Sequence, residues 1–476
     1  MSDNAHDTIY ALATPPGRSA IAVIRISGVN AAKTPGLFSV PCPAAGQFNV
    51  SRLMQDGKVL DQAILLFMRG PQSSTGEDVC EIHCHGSRAV IDAITAQLER
   101  ASGFRLAAPG EFTRRSFLNG KMDLSGVEGL ADLIDAQTPA QLHQAWAQID
   151  GALRAPVMIW RAELIEIAAR LEALIDFSDE DLPPLIEKTL RKSTKALITA
   201  LIKNLADGGI GEIVRDGVVV ALVGPANAGK STILNGLAGR AAAIVSDEAG
   251  TTRDIIQIQL DLYGVPTIIL DTAGIRKTNG AIENEGIKRS VMAAANADLT
   301  LVILDGSDKY WPEACDKIER AIDRQISQTS TNQKMVSNKV IDDRARLYVL
   351  NKADRGIVHA NYRSESNSKT SGKHNMLVIS AKKQTDINTL SMTLAKRLAP
   401  LNHADGSVII TRQRHRQSMQ AAHDALVRAL THDFQKAPEL AAEDFRLAAG
   451  ALGRITGEID VEELLGSIFS AFCIGK

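Results

Sequence analysis

Cysteine is scarce. Five residues in 476 (Cys42, Cys80, Cys84, Cys315 and Cys473) are an odd and sparse set, which excludes a disulfide framework and fits a reducing compartment. Aromatic residues make up only 4%. An excess of one charge is also missing: 53 Lys and Arg against 55 Asp and Glu leave a formal charge of −2. That excludes a general coat for polyanions but leaves room for a local basic face on RNA. No apolar run approaches the ~18–20 residues that span a bilayer. The N-terminus carries no basic stretch followed by an apolar core. No membrane association is therefore expected, and the expected location is cytoplasmic.

The length predicts about three domains at ~150 residues each. Residues 1–120 hold short apolar runs, such as Ile21–Ile26 and Ile64–Met68, broken by Pro and Gly, the mark of a mixed domain of strands and helices. Within it Cys80, His83, Cys84 and His85 are close enough to test as a metal site. No second ligand pair stands at zinc-finger spacing, and strand alternation sends neighbours to opposite faces, so core strand residues are the better reading. From Leu124 the pattern turns helical: Val157, Trp160, Leu164, Ile167, Leu171 and Leu174 form one stripe. Leu190, Leu197, Leu201 and Leu205 continue it. Gly208, Gly209 and Gly211 read as a hinge, with the GxxG loop of an RNA-binding KH module as the weaker alternative. Thr389–Leu398 and Arg412–Leu430 are helical again. Arg412, Arg414, His415 and Arg416 form a basic cluster suited either to RNA phosphates or to a solvated helix face.

The chemistry is concentrated between residues 214 and 387. The β-rich run Val218–Val223 leads into Gly224-Pro-Ala-Asn-Ala-Gly229-Lys230-Ser231 and then a helical pattern, which is P-loop spacing in strand–loop–helix context. Glycines let backbone N–H groups curl around phosphate, Lys230 brings a cation to the terminal phosphates, and Ser231 can ligate magnesium. Three further strands end in Asp271-Thr-Ala-Gly274, Asn351-Lys352-Ala353-Asp354 and Ser380-Ala381-Lys382. All four motifs in order arise by chance in fewer than roughly one random chain in a thousand of average composition. Asp354 selects the base, because a carboxylate accepts both the ring N–H and the exocyclic amine of guanine. Thr252, in Gly250-Thr-Thr-Arg-Asp254, is the candidate to complete the magnesium shell; a plain Gly-Thr turn is the alternative. Ile275 stands where Ras-like enzymes keep a water-positioning glutamine. Glu283 or Glu285 is a candidate replacement, or else either is a surface charge.

These motifs, with Thr14-Pro-Pro-Gly-Arg18, Arg25-Ile-Ser-Gly28, Thr75-Gly-Glu-Asp78, Ala108-Pro-Gly-Glu-Phe-Thr-Arg114, Asn119-Gly-Lys121, Ile175-Asp-Phe-Ser-Asp-Glu180 and the ending Cys473-Ile-Gly-Lys476, make the chain resemble the tRNA-modification GTPase family MnmE (TrmE) over essentially its whole length. The resemblance implies an α/β P-loop GTPase domain inserted in an α-helical domain and preceded by an α+β tetrahydrofolate-binding domain. The corresponding ranges are 1–120 for folate binding and dimerisation, 121–213 and 388–476 for the two helical halves, and 214–387 for the GTPase domain. It implies that Arg25, Glu81, Lys121 and Lys476 contact a one-carbon tetrahydrofolate (5-formyl or methylene). It implies activation by potassium, with Asn227, Ser246, Glu248 and Thr251 around the ion, and Glu283 as the group that positions water. Cys473 is kept near the modification centre; by its own setting it is a small buried hydrophobe.

The nucleotide-contacting set expected is Asn227, Ala228, Gly229, Lys230, Ser231 and Thr232; Ser246, Asp247, Glu248, Ala249, Gly250, Thr251 and Thr252; Asp271, Thr272, Ala273 and Gly274; Asn351, Lys352 and Asp354; and Ser380, Ala381 and Lys382. The partners implied are a second copy of the chain, a flavoprotein (MnmG, or GidA) in a heterotetramer, and tRNA, whose wobble uridine receives an aminomethyl or carboxymethylaminomethyl group. Rival readings are a ribosome-assembly GTPase switch and a stand-alone folate-dependent transferase. Ser74 replaces an aromatic residue usual in the family, Gly126 a more helix-favouring one, and the polar insert before Asn351 is longer than the family leads one to expect.

Overall fold

The computed structural model describes residues 7–176, 184–239, 256–271, 291–332, 346–358, 376–398, 409–459, and residues 468, 469, 472 and 475. Apolar–polar alternation in the first 120 residues builds one sheet from β1 (Thr8–Leu12), β2 (Ser19–Ser27), β3 (Phe48–Gln55), β4 (Lys58–Met68), β5 (Val79–Gly86) and β6 (Phe104–Leu106). Their order is β3-β4-β5-β2-β1-β6, antiparallel throughout except between β1 and β6. Ile24, Ile26, Leu65, Cys80, Ile82 and Cys84 share one core with Ile94 and Leu98 of helix α1 (Arg88–Arg100). Period two leaves Arg25, Glu81 and His83 on the opposite face. Burial pushes the Cys80 and Cys84 thiols up to about 12 and about 11, which opposes the thiolate a metal needs. His83 and His85 instead face Glu81 and Asp61, at 3.1 and 2.7 Å.

Internal contacts divide the chain into two units, Met1–Ala131 with Gln148–Leu182 and Arg428–Lys476, and Asp132–Ala147 with Pro183–Val427. In the first, α2 (Glu111–Leu118) and α3 (Leu124–Asp135) follow the sheet. Leu124 and Val127 of α3 pack with Phe469 and Phe472 near the chain end. Beyond α4 (Pro139–Ile149), the stripe at Val157, Leu164, Ile167 and Leu171 is buried on α5 (Arg154–Asp176). A 33-residue helix, α6 (Pro184–Asp216), follows.

In the second unit β7 (Val218–Val223), β8 (Ile256–Leu262), β9 (Val265–Asp271), β10 (Leu299–Asp305), β11 (Arg346–Asn351) and β12 (Leu377–Val378) stand in the order β12-β11-β10-β7-β9-β8. Only β8–β9 is antiparallel. The central strands are near-continuous apolar runs because both faces are covered. One face packs Ile233 and Leu237 of α7 (Lys230–Ala238); the other packs Trp311 and Cys315 of α8 (Trp311–Asn332). Helix α9 (Gln384–Leu398) places Ile387, Leu390, Leu394 and Leu398 in the α7 core. A boundary at 387/388 therefore cuts a helix that packs as a whole on this sheet.

Two local expectations are corrected. Gly208, Gly209 and Gly211 are not a hinge, since α6 runs through them. Gly209 and Gly211 are buried, and Gln144 Nε2 donates to the Gly211 carbonyl at 3.1 Å. Tertiary packing thus outweighs the ~1 kcal/mol that glycine costs a helix. The basic cluster at the start of α10 (Gln413–Ala429) is neither a solvated face nor a phosphate-ready patch. His415 is fully buried, Arg412 pairs with Asp132 at 2.6 Å, and Arg416 with Glu212 at 3.1 Å. The last helix, α11 (Pro438–Thr456), buries an alanine-rich face containing Ala441, Ala442 and Ala448, and packs on α5.

Candidate active site

Strand β7 is the point where the sheet reverses, with β9 on one side and β10 on the other. Open parallel sheets receive ligands beyond the carboxyl ends of the strands at such a point. The loop leaving β7 is glycine-built for want of space. A Cβ on Gly224 would stand 2.0 Å from the Ile303 carbonyl oxygen, and one on Gly229 would stand 2.1 Å from Asn351 Nδ2. Gly229, with φ 98°, is also the N-cap of α7. Asn227 adopts φ 64° and is exposed. The N–H groups of the first turn of α7 point toward this end of the sheet, and together with the helix dipole they favour an anion there. Lys230 is only 9% exposed, and its Nζ donates to the Gly224 and Pro225 carbonyls at 2.7 and 2.8 Å. Neutral carbonyls hold that ammonium where a charged phosphate oxygen makes the stronger bond.

Asn351 locks three segments together. It is 2% exposed; its Nδ2 donates to the Ala228 carbonyl at 2.8 Å, and its Oδ1 accepts from the Ala381 backbone N–H at 2.9 Å. Asp354 is exposed, and its Oδ1 accepts from the Ser380 hydroxyl at 2.8 Å. Lys382 Nζ lies 3.7 Å from its other oxygen. The Ser380 hydroxyl, with the Lys382 charge behind it, holds the Asp354 carboxyl below the usual carboxylate range. An ionised acceptor aimed outward beside the P-loop is what a purine with two adjacent N–H donors requires.

Two polar residues escaped the sequence reading. Asp386 Oδ2 accepts from the Ser380 backbone N–H at 2.7 Å and so fixes the loop that carries Ser380. Asp305 Oδ2 receives Lys352 Nζ at 2.6 Å. Burial raises the Asp305 carboxyl, but bonds from Lys352 and Ser307 outweigh it and hold the group low. The available signal was a carboxylate closing the apolar run Leu299–Leu304, as Asp271 closes Thr267–Leu270.

The structure thus brings together Ala228, Gly229, Lys230, Asn351, Asp354, Ser380, Ala381 and Lys382. Ser231 and Thr232 are exposed on the first turn of α7, and Asp271 ends β9. Ser246, Asp247, Glu248, Ala249, Gly250, Thr251, Thr252, Thr272, Ala273, Gly274, Glu283, Cys473 and Lys476 lie outside the described residues.

In the first unit, Arg25 and Glu81 stand opposite each other across β2 and β5, joined at 2.8 Å. Burial raises the Glu81 carboxyl, but hydrogen bonds from His83 and Arg25 and their charge prevail and hold it low. The Arg25 guanidinium carbon is 5.9 Å from the Phe112 ring centroid. Lys121 Nζ instead donates to the Pro71 carbonyl at 2.7 Å. A Cβ on Gly475 would stand 2.2 Å from the Leu12 carbonyl oxygen. Gly475 therefore lies against the end of β1, whose Ala11 pairs with Arg25. Among the described residues no helix is long and apolar enough to cross a membrane, and no group of three or more His, Cys, Asp or Glu could hold a metal ion.

A family profile described as the MnmE helical domain matches residues 124–473, and one described as GTP-binding protein TrmE N-terminus matches residues 8–121. The chain is 44% identical to a protein named tRNA modification GTPase MnmE from Parvibaculum lavamentivorans, over 99% of this chain and 100% of that one. It is 43% identical to a protein of the same name from Paramagnetospirillum magneticum, with the same coverage. A solved GTP-binding protein from Sulfolobus solfataricus in complex with GDP aligns at a TM-score of 0.28 and 15% identity, over 64% of this chain and 85% of that one. With a profile over most of its length and full-length relatives above 40% identity, this chain belongs to the MnmE (TrmE) family of tRNA modification GTPases.

Proposed function

We propose that this protein hydrolyses GTP and, with a flavin-dependent partner (MnmG/GidA), supports formation of the aminomethyl or carboxymethylaminomethyl group at the 5-position of the tRNA wobble uridine. The observation that carries the nucleotide half is the Asn351 lock: one buried amide joins the phosphate loop to the base-reading loop. The tRNA half rests on the family. In the chemistry proposed, the α7 N–H groups and Lys230 take the phosphates, and Asp354 accepts the two guanine N–H groups. The glycine cradle at Gly224 and Gly229, with Ser231 at the start of α7, suits a magnesium–nucleotide complex. Ser231 and Thr252 would hold that ion, which screens phosphate charge during transfer. Asn227, Ser246, Glu248 and Thr251 would surround potassium, Glu283 would orient the attacking water, and Cys473 would lie near the modification centre.

The pairing of a guanidinium with a carboxylate on a half-buried sheet face, beside Phe112, fits a ligand with carboxylates and N–H donors. Arg25 and Glu81, joined by Lys121 and Lys476, would bind the one-carbon tetrahydrofolate, which supplies a one-carbon unit. Dimerisation through the first domain and insertion of the GTPase domain within the helical one belong to the same reading. Nucleoside mass spectrometry of bulk tRNA tests it, in cells lacking the gene and complemented with wild type or Lys230→Ala. The 5-aminomethyl-type uridines should vanish without the gene and return only with wild type. Unchanged uridines, with no paralogue present, would overturn the tRNA assignment and leave a ribosome-assembly switch.

A further inference from the structure

Lys352 has a backbone that needs an explanation. It is a non-glycine residue at φ 65°, and it caps the short 3-10 turn Ala353–Arg355 that carries Asp354. Such a conformation persists when its surroundings over-determine it. The turn after β10 supplies those surroundings. Asp305 pairs with Asn351 in the β10–β11 register, and its Oδ2 receives Lys352 Nζ. Its Oδ1 accepts from the Ser307 backbone N–H and hydroxyl at 3.1 and 2.6 Å, which fixes the carboxylate's direction. The Gly306 N–H donates to the Asn351 carbonyl at 2.9 Å, and the Val358 N–H donates to the Gly306 carbonyl at 2.8 Å. A Cβ on Gly306 would meet Ile357 Cδ1 at 2.3 Å, so the two segments close tightly. Trp311 Nε1 seals the far side with a 2.8 Å bond to the Val358 carbonyl.

The consequence concerns the neighbouring acid. Lys352 and Asp354 are two residues apart on one tight turn, and an unrestrained lysine ammonium there is a natural ion-pair partner for the base-reading carboxylate. Among the described residues, the ion pair of Lys352 is instead with Asp305, and the lysine side chain is 22% exposed. Lys382 reaches Asp354 Oδ2 from the loop after β12 only to 3.7 Å, with 71% of its side chain exposed, and the Ser380 hydroxyl holds Oδ1, so the carboxylate stays accessible from solvent. We propose that Asp305 is a positioning residue for guanine nucleotide: it draws the Lys352 ammonium off Asp354, keeps that carboxylate free for the base, and lays the lysine's methylene stem beside it.

This rests on the guanine reading of Asp354, and one titration series separates the two. Fluorescent GDP is titrated into the full-length protein as wild type, Asp305→Asn, Lys352→Met and the double variant, with apoprotein melting temperatures in parallel. Asp305→Asn should raise the Kd about tenfold, equivalent to about 1.4 kcal/mol. Adding Lys352→Met removes the competing cation but keeps the apolar stem, and should recover most of that loss. A merely structural aspartate would not be rescued in this way. A wild-type Kd in Asp305→Asn, or a weakened Kd that Lys352→Met leaves unchanged, overturns the proposal while wild-type binding stands. Failure of the wild type to bind GDP overturns the guanine reading itself.

Discussion

In the second sheet the polar residues of the candidate site stand at strand ends; in the first they stand in mid-strand, on a half-buried face. Parallel β7, β10 and β11 all point their carboxyl ends the same way, so each following loop delivers its residues to one edge. Short contiguous motifs result, and Asn351 has only to bond Ala228 and Ala381 to join them. In the antiparallel sheet, Arg25 and Glu81 meet through register, 56 positions apart in the chain. Nothing local to either residue announces the other. A parallel sheet writes its site into consecutive residues, whereas an antiparallel sheet writes it into pairings.

Breaking the strand-end site should give the largest effect. Lys230→Ala is expected to lower GTP hydrolysis by at least about 10²-fold, the scale of losing one preorganised charge-stabilising donor, as measured by phosphate release. Asp354→Asn should come next. It replaces one acceptor oxygen with a donor amide, which repels guanine N–H groups but suits the 2-oxo group of xanthine. Competition titrations should show guanine affinity falling about 10- to 100-fold, as for a charged hydrogen bond of ~1.5–3 kcal/mol, with xanthosine nucleotides gaining. Asn351→Ala leaves the Ala228 carbonyl and the Ala381 N–H without their partner and should cost about 2–4 kcal/mol in urea unfolding of the second unit.

The mid-strand site sharpens the contrast. Glu81→Gln should weaken binding of 5-formyltetrahydrofolate about tenfold by calorimetry, for the loss of one charge-assisted contact. GTP hydrolysis should stay within about twofold of wild type on that scale. Hydrolysis falling in parallel with folate binding would break the separation. The smallest effect expected is with acid. Glu81 and Asp305 both titrate below their ordinary values in the folded protein. Their contribution is therefore present above the ordinary carboxylate pKa of ~4 and is lost as pH falls through the lower folded values. Melting temperature should hold from pH 7 to about 5 and decline below about 4. Glu81→Gln should remove part of that decline.

How much could be read beforehand follows the same division. The P-loop, the Asn351–Asp354 segment and the Ser380–Lys382 turn were legible because strand, turn and polar residue are adjacent in sequence. Asp305 was not, because its place after the run Leu299–Leu304 marks only a strand end, and its partner Lys352 is set by the pairing of β10 with β11. Arg25 and Glu81 came only from family resemblance. The helical regions misled where local chemistry was overruled by packing. Three glycines, read as a hinge, lie within α6, with Gln144 bonded to Gly211, and basic residues read as a surface cluster are spent on Asp132 and Glu212.

The most direct measurement is phosphate release by the full-length protein supplied with GTP, ATP or XTP, as wild type and as Asp354→Asn. A guanine site read by that carboxylate predicts hydrolysis of GTP but not ATP by the wild type, and a switch toward XTP in the variant. Equal turnover of ATP and GTP, or an unchanged preference in Asp354→Asn, would contradict it.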